Sequence, residues 1–226
     1  MRLLKKLLSL ILVTSAIVTS LASCDRDYDE AEVIAAAEAL IRKSDILEDI
    51  IFGVGFDYHL EGTSSYQPAS EIDVERYSEA LGVSVSTVDE LKAVLSRIYT
   101  AGYRNDILSG VLSGDINSSL TRYYQDGEKI MVLTTYKPQK TDEIEYHYET
   151  LRVADVNDQK ITVSLDVTVT RTEKTGSETT KKSQRITIEV DMLEEADGWK
   201  LDTPTYAVYN ENYQNYKDLE NELNKR

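Results

Sequence analysis

Ile161-Thr162-Val163-Ser164-Leu165-Asp166-Val167-Thr168-Val169-Thr170 is the stretch that decides the fold. Apolar residues occupy every odd position and polar residues every even one, the period of two with which an extended chain wets one face and buries the other. A polar segment over 173–180, with Gly176 at its bend, is predicted to be a loop. The pattern then returns as Ile186, Ile188, Val190 and Met192, with Arg185, Thr187, Glu189 and Asp191 facing away. Asp197-Gly198 predicts a tight turn onto Trp199 and Leu201, because such residues accept the positive φ angles a hairpin needs. Upstream, 144–153 alternates through Tyr146 and Tyr148, and Asp126-Gly127 joins Arg122-Tyr123-Tyr124 to 130–133 as a further hairpin. One wet and one apolar face per strand require an antiparallel meander covered on one side.

The cover comes from the first half of the chain, where the period changes to that of a helix. Asp29 with Glu32 forms a capping box, and Val33, Ile34, Ala37, Leu40 and Ile41 follow at steps of three and four. Lys43-Ser44-Asp45 is predicted to break this helix, with Ser44 capping a second one through Ile46, Leu47, Ile50 and Ile51 that ends at Gly53-Val54-Gly55. Residues 57–74 are rich in turn formers and read as irregular, and a short strand is expected over 75–78. Thr87 with Glu90 opens a helix striped by Val88, Leu91, Val94, Leu95 and Ile98 and stopped by Gly102; a short one is expected over 105–112. At the other end, Tyr209, Tyr213, Tyr216, Leu219 and Leu223 predict a helical tail over 209–226. The fold class is α+β: N-terminal helices packed on a curved antiparallel sheet.

At the N-terminus, Arg2, Lys5 and Lys6 precede an apolar run from Leu7 to Leu21 and then Ala22-Ser23-Cys24. This is the layout of a secretory signal peptide, and a run of 15 residues, diluted only by Ser and Thr, falls short of the roughly 20 that cross a bilayer as a permanent helix. Leu21-Ala22-Ser23-Cys24 resembles a bacterial lipobox. That resemblance implies a diacylglycerol thioether on the Cys24 sulfur, cleavage after Ser23, and an acyl-anchored (palmitate-type) lipoprotein on the extracytoplasmic face of the cell membrane. The chain then divides into a signal peptide over 1–23, a tether over 24–29, a domain over 30–208 and the tail.

Charge and composition narrow the function classes. The first 23 residues hold three of the 25 basic residues and none of the 40 acidic ones, which leaves 22 basic against 40 acidic residues and a formal charge of −18 for the remainder. Nucleic acid and anionic lipid surfaces both need basic patches, so neither is an expected partner; solubility and cationic partners are favoured. Cys24 is the one cysteine, so with lipid on it no disulfide, thiolate metal site or Cys-His chemistry is available. The two histidines, His59 and His147, sit in a turn-rich segment and on a strand, positions that suit a surface better than a general base. No Gly-x-Ser-x-Gly or His-Glu-x-x-His occurs, no metal or cofactor is implied, and the chain reads as non-enzymatic.

Helices followed by a long antiparallel sheet closing on Asp197-Gly198-Trp199-Lys200-Leu201 resemble the cone-shaped NTF2-like (cystatin-like) fold, over roughly 30–208. The stretches 46–55 and 197–206 are similar to uncharacterised lipoproteins of Gram-positive anaerobes, and 87–103 to secreted cystatin-like inhibitors of cell-wall endopeptidases. Fifteen tyrosines against two phenylalanines suit a half-wet cavity, since a phenol has an apolar body and a polar tip. Tyr99, Tyr103, Tyr123, Tyr146, Tyr148 and Trp199 lie on elements that would line such a cone and are the candidate binding residues for a small ligand or envelope component. The alternative is a protein-interaction module, such as an inhibitor of a cell-wall hydrolase, with a filled cone and an exposed patch.

Overall fold

A computed structural model describes residues 28–60, 62–107, 112, 121–138, 140, 142–157, 160–175 and 178–202. The expected signal peptide, residues 24–27 of the tether with Cys24 among them, and the tail over 209–226 lie outside these residues. The chain is α+β, helices first: α1 (Glu30–Ile51), β1 (Tyr66–Pro68), α2 (Glu71–Leu81), α3 (Val88–Ile98) and α4 (Ala101–Ile107). Strands β2 (Tyr123–Asp126), β3 (Lys129–Leu133), β4 (Glu143–Val156), β5 (Lys160–Thr175), β6 (Glu178–Glu195) and β7 (Gly198–Leu201) follow.

Helix α1 starts where its cap predicts: the Asp29 carboxylate accepts from the N–H groups of Ala31 and Glu32. The break expected at Lys43-Ser44-Asp45 does not occur, and α1 is one helix of 22 residues. Ser44 is buried in it; its hydroxyl donates to Glu48 Oε1 at 3.2 Å and lies 2.7 Å from the Tyr99 hydroxyl. A serine with a tertiary partner has no need to compete for its own backbone, which is what would have ended the helix.

Four further expectations are corrected. The strand expected over 75–78 is the middle of α2, whose Val74, Tyr77 and Leu81 recur at helical spacing; Gly82 ends it at φ +68°, the left-handed position that favours glycine. Residues 57–74, read as irregular, contain β1 and the start of α2. Helix α3, closed at its start by the Thr87–Glu90 capping box, stops at Ile98 and not at Gly102. Tyr99 turns to extended backbone and bridges in parallel to Leu201, while the Thr100 N–H donates to the Leu201 carbonyl, so the chain leaves the helix to meet β7. Gly102 lies inside α4, which begins four residues before the start expected at 105.

The strands make two antiparallel sheets where one meander was expected. β1-β3-β2 form the smaller, and β4-β5-β6-β7 the larger. β5 and β6 pair from Lys160 with Leu193 out to Thr175 with Glu178, so strand replaces most of the loop expected over 173–180. β4 carries two register shifts against β5, between His147 and Arg152 and between Val153 and Asp155; such bulges bend and twist a strand. Ile161, Val163, Leu165, Val167 and Val169 join Ile188, Val190, Met192 and Leu201 in one core with Val33, Ala37, Ile41, Leu47, Val94, Leu95 and Ile98 from the helices. The expected wet side of β5 is partly covered: Thr162 and Ser164 are buried, and the Thr162 hydroxyl donates to Asp191 Oδ1.

The two sheets part because the chain between them is pinned to the end of α1. A helix leaves its last four carbonyls without intrahelical partners. Here Arg122, 3% exposed, donates to the carbonyls of Ile51 (2.5 Å), Gly53 (2.8 Å) and Val54 (2.7 Å), and the Tyr123 hydroxyl donates to that of Ile50 (2.7 Å). The Tyr136 hydroxyl reaches Ile51 and the Lys140 N–H the Phe52 carbonyl, while Lys140 Nζ pairs with Asp45 at 2.6 Å. The guanidinium also lies 3.9 Å from the Tyr136 ring centre, a cation–π contact in a dry setting.

Gly55 makes this approach possible. Its φ is +73°, and a Cβ there would collide with the Tyr123 hydroxyl and an Arg122 nitrogen and lie 2.9 Å from the Ile50 carbonyl oxygen. Gly55→Ala is expected to destabilise the fold by about 2–3 kcal/mol, from backbone strain together with disturbed buried hydrogen bonds. Arg122→Leu should cost at least as much, since it removes three hydrogen bonds and leaves the buried Gly53 carbonyl without the guanidinium. Urea unfolding checks both: the midpoint falls while the slope stays constant.

Candidate functional site

The six aromatic residues singled out above divide into two settings. Tyr99 is 1% exposed, bonded to Ser44 and edge-on to Tyr103 at 5.1 Å between ring centres. Tyr146 is half-buried, its hydroxyl donating to Asp45 Oδ1 at 3.4 Å, and it stacks on Tyr148 at 5.8 Å and 23°. The Arg42 guanidinium lies 3.7 Å from the Tyr148 ring centre. These four rings therefore gather along the middle of α1, held by Arg42, Ser44 and Asp45. Tyr123, 0% exposed, belongs to the other end, where it caps α1 and meets Phe56 edge-on at 5.4 Å. Trp199 is half-buried on β7 opposite Glu194.

Burial sets the acidity of these phenols. It lifts Tyr99 well above the ordinary value, with the neighbouring Glu48 adding to the effect. It lifts Tyr123 to about 12 against the opposing pull of Arg122, and Tyr148 to about 12 against that of Arg42. Tyr77, whose hydroxyl donates to Asp49 Oδ2 at 3.0 Å, is raised by burial and then by that carboxylate. All of these phenols stay neutral and act as hydrogen-bond donors or ring surfaces at physiological pH.

Two surface grooves lie elsewhere. The first, about 430 Å³, runs between the start of α3 and β2, and Tyr123 is the one member of the six that borders it. Its polar groups satisfy one another: the Val88 N–H donates to Gln125 Oε1, the Gln125 amide donates to the Gly127 carbonyl, and Lys92 pairs with Asp89. The second, about 640 Å³, lies between α2 and the β2–β3 turn. Pro68, Ala69, Val74 and Ile130 supply apolar lining, Glu71, Glu75 and Glu128 supply carboxylates, and His59, Ile72, Ser86 and Lys129 complete it. Ile72 is 76% exposed, and Leu60, beside His59, is 79% exposed, although large aliphatic side chains are usually withdrawn from water.

The second groove was not legible in advance. Glu71-Ile72 is an isoleucine off the Val74–Tyr77–Leu81 stripe, a signal that becomes visible only once 71–81 is known to be a helix. His59 stands at this rim; His147 lies on β4, 2.7 Å from the Thr168 hydroxyl and 3.6 Å from Glu149. Among the described residues no group of three or more His, Cys, Asp and Glu side chains is arranged to hold a metal ion, and no helix is long and apolar enough to cross a membrane. In comparisons with known proteins, no family model, no curated protein and no solved structure matches this chain.

The raised phenols make stability fall at alkaline pH. Above pH 10 an unfolded tyrosine loses its proton while the folded one, at about 12 for Tyr123, keeps it, so the unfolded state is favoured as pH climbs between these values. The contribution is complete below pH 10 and lost as pH passes the folded value. Absorbance at 295 nm with parallel circular dichroism is expected to show phenolate steps that coincide with loss of structure; ionisation of every tyrosine in an intact fold would contradict this.

Proposed function

We propose that this chain is a lipid-anchored, non-enzymatic protein of the extracytoplasmic membrane face, with an NTF2-like cone as its domain, and that it works by docking a partner polypeptide. One observation carries the reading: most of the candidate rings are engaged with one another or with the chain's own polar groups, while the exposed Ile72 stands in the groove beside α2 and the exposed Leu60 follows its lining residue His59. An exposed apolar surface that folding does not withdraw is the common mark of an interaction site. A small ligand held among the tyrosines is the weaker alternative, because the hydroxyls of Tyr99, Tyr123 and Tyr146 and the rings of Tyr99, Tyr103, Tyr146 and Tyr148 already have partners. An inhibitor of a cell-wall hydrolase is one form such a docking module takes.

The anchor is testable apart from the docking. Lipid on Cys24 should carry the protein into the detergent phase of Triton X-114, and Cys24→Ala should move it to the aqueous phase; equal partitioning of both forms would exclude the anchor. For docking, a photoreactive benzoylphenylalanine placed at Ile72 in the living host should yield a discrete protein adduct. The same group at Val54, also exposed but absent from the groove lining, should not. Adducts at both sites, or at neither, would overturn the docking reading.

A further inference from the structure

We infer that the groove between α2 and the β2–β3 turn takes a basic amphipathic polypeptide segment, one that sets an apolar side chain on the lining and flanks it with Lys or Arg. This rests on the docking reading above and names the chemistry of the partner. Glu71, Glu75 and Glu128 border the groove with no ion-pair or hydrogen-bond partner among the described residues. Two neighbouring acids are matched by a base: Asp73 pairs with Arg76, and Asp89 with Lys92. Against the three carboxylates stands Lys129, the one Lys or Arg of the lining.

Glu71 and Glu75 are four residues apart on α2, and Glu79 continues the line beyond the groove, so like charges repeat along one helix stripe. Such pairs repel, and a bound cation relieves the repulsion. The apolar part of the lining and the exposed Ile72 ask for an apolar side chain between the cations. The volume of about 640 Å³ falls in the range of roughly 300–1,000 Å³ typical of ligand-sized sites, more than one side chain needs.

The strand edge beside the groove is closed: Tyr58 bridges to Ala69, and the His59 N–H donates to the Pro68 carbonyl. The segment is therefore recognised through its side chains and not by adding a strand to β1. The same carboxylates repel nucleic acid and anionic lipid headgroups.

Residues 24–226 contain the whole core, which spans Val33 to Leu201, so this portion with Cys24→Ala serves for binding in solution. The probe is a fluorescein-labelled eight-residue peptide of alternating Lys and Leu, read by anisotropy, with a Glu-Leu peptide as its counterpart. The Lys-Leu peptide is expected to bind saturably and the Glu-Leu peptide not at all. Glu71→Gln, Glu75→Gln and Glu128→Gln together should weaken binding about tenfold, as Ile72→Ser alone should, with unchanged circular dichroism. A charge-matched control, Glu30→Gln with Glu145→Gln and Glu195→Gln, should leave affinity within about twofold. Equal weakening by both triple variants, binding of the Glu-Leu peptide, or no saturable binding would overturn the assignment. If adducts form at Ile72 in the host while the basic peptide fails to bind, the partner chemistry is wrong and the docking reading stands; if both fail, both fall.

Discussion

The structure depends on how the end of one helix is closed. The last carbonyls of α1 point into the protein, where water cannot reach them, and a buried carbonyl without a donor costs about 1–3 kcal/mol. Arg122 donates to the Ile51 carbonyl and to those of Gly53 and Val54 just beyond the helix, Tyr123 donates to Ile50, Tyr136 to Ile51 and the Lys140 N–H to Phe52, all from the same stretch of chain. A guanidinium suits this place for a second reason: its charge sits at the negative end of the helix dipole, and its planar fork reaches several oxygens at once. The first half of the chain is thus bound to the second by polar contacts before any apolar surface is counted.

That closure has a topological consequence. Arg122, Tyr123, Tyr136 and Lys140 are tied to α1 and its end, so β2 and β3 pair with β1 next to the helix end, and β4 starts a sheet of its own. The larger sheet lays its apolar face on α1 and α3, and the bulges in β4 let it bend around them. Where helix and sheet meet, tyrosines do the filling. Their hydroxyls need partners once dry, and Ser44, Asp45, Asp49 and the Ile50 carbonyl provide them. The tyrosine-rich composition therefore reports polar links inside a core as much as any cavity.

The groove beside α2 follows a different logic. Its carboxylates have no partner among the described residues, its isoleucine stands in water, and the neighbouring strand edge is already occupied. A surface selected only for solubility would set acids among bases and withdraw the isoleucine. Charge and apolar surface left together, facing one way, fit recognition of a partner that brings the opposite charge and an apolar side chain of its own.

Much of the local structure was legible in the sequence. The alternation over 161–170, the return through Ile186 to Met192, the turns at Gly127 and Gly198, and the caps at Asp29 and Thr87 all stand as read. Each depends on steric preference and burial period over a few neighbouring residues, which a sequence states directly. What failed was set at long range. Ser44 stays in its helix because Tyr99, 55 positions later, bonds to it, and Arg122 caps a helix whose end lies 71 positions earlier. The division into two sheets, the inward fate of Tyr99 and Tyr123, and the gathering of Ile72, Glu128 and Pro68 into one groove are of the same kind. The sequence by itself determined the capped helix starts and the alternating strands through 161–170 and 186–192, with the faces they bury; only the tertiary structure decided which polar groups meet, because a hydrogen bond depends on distance in space and no local periodicity encodes that.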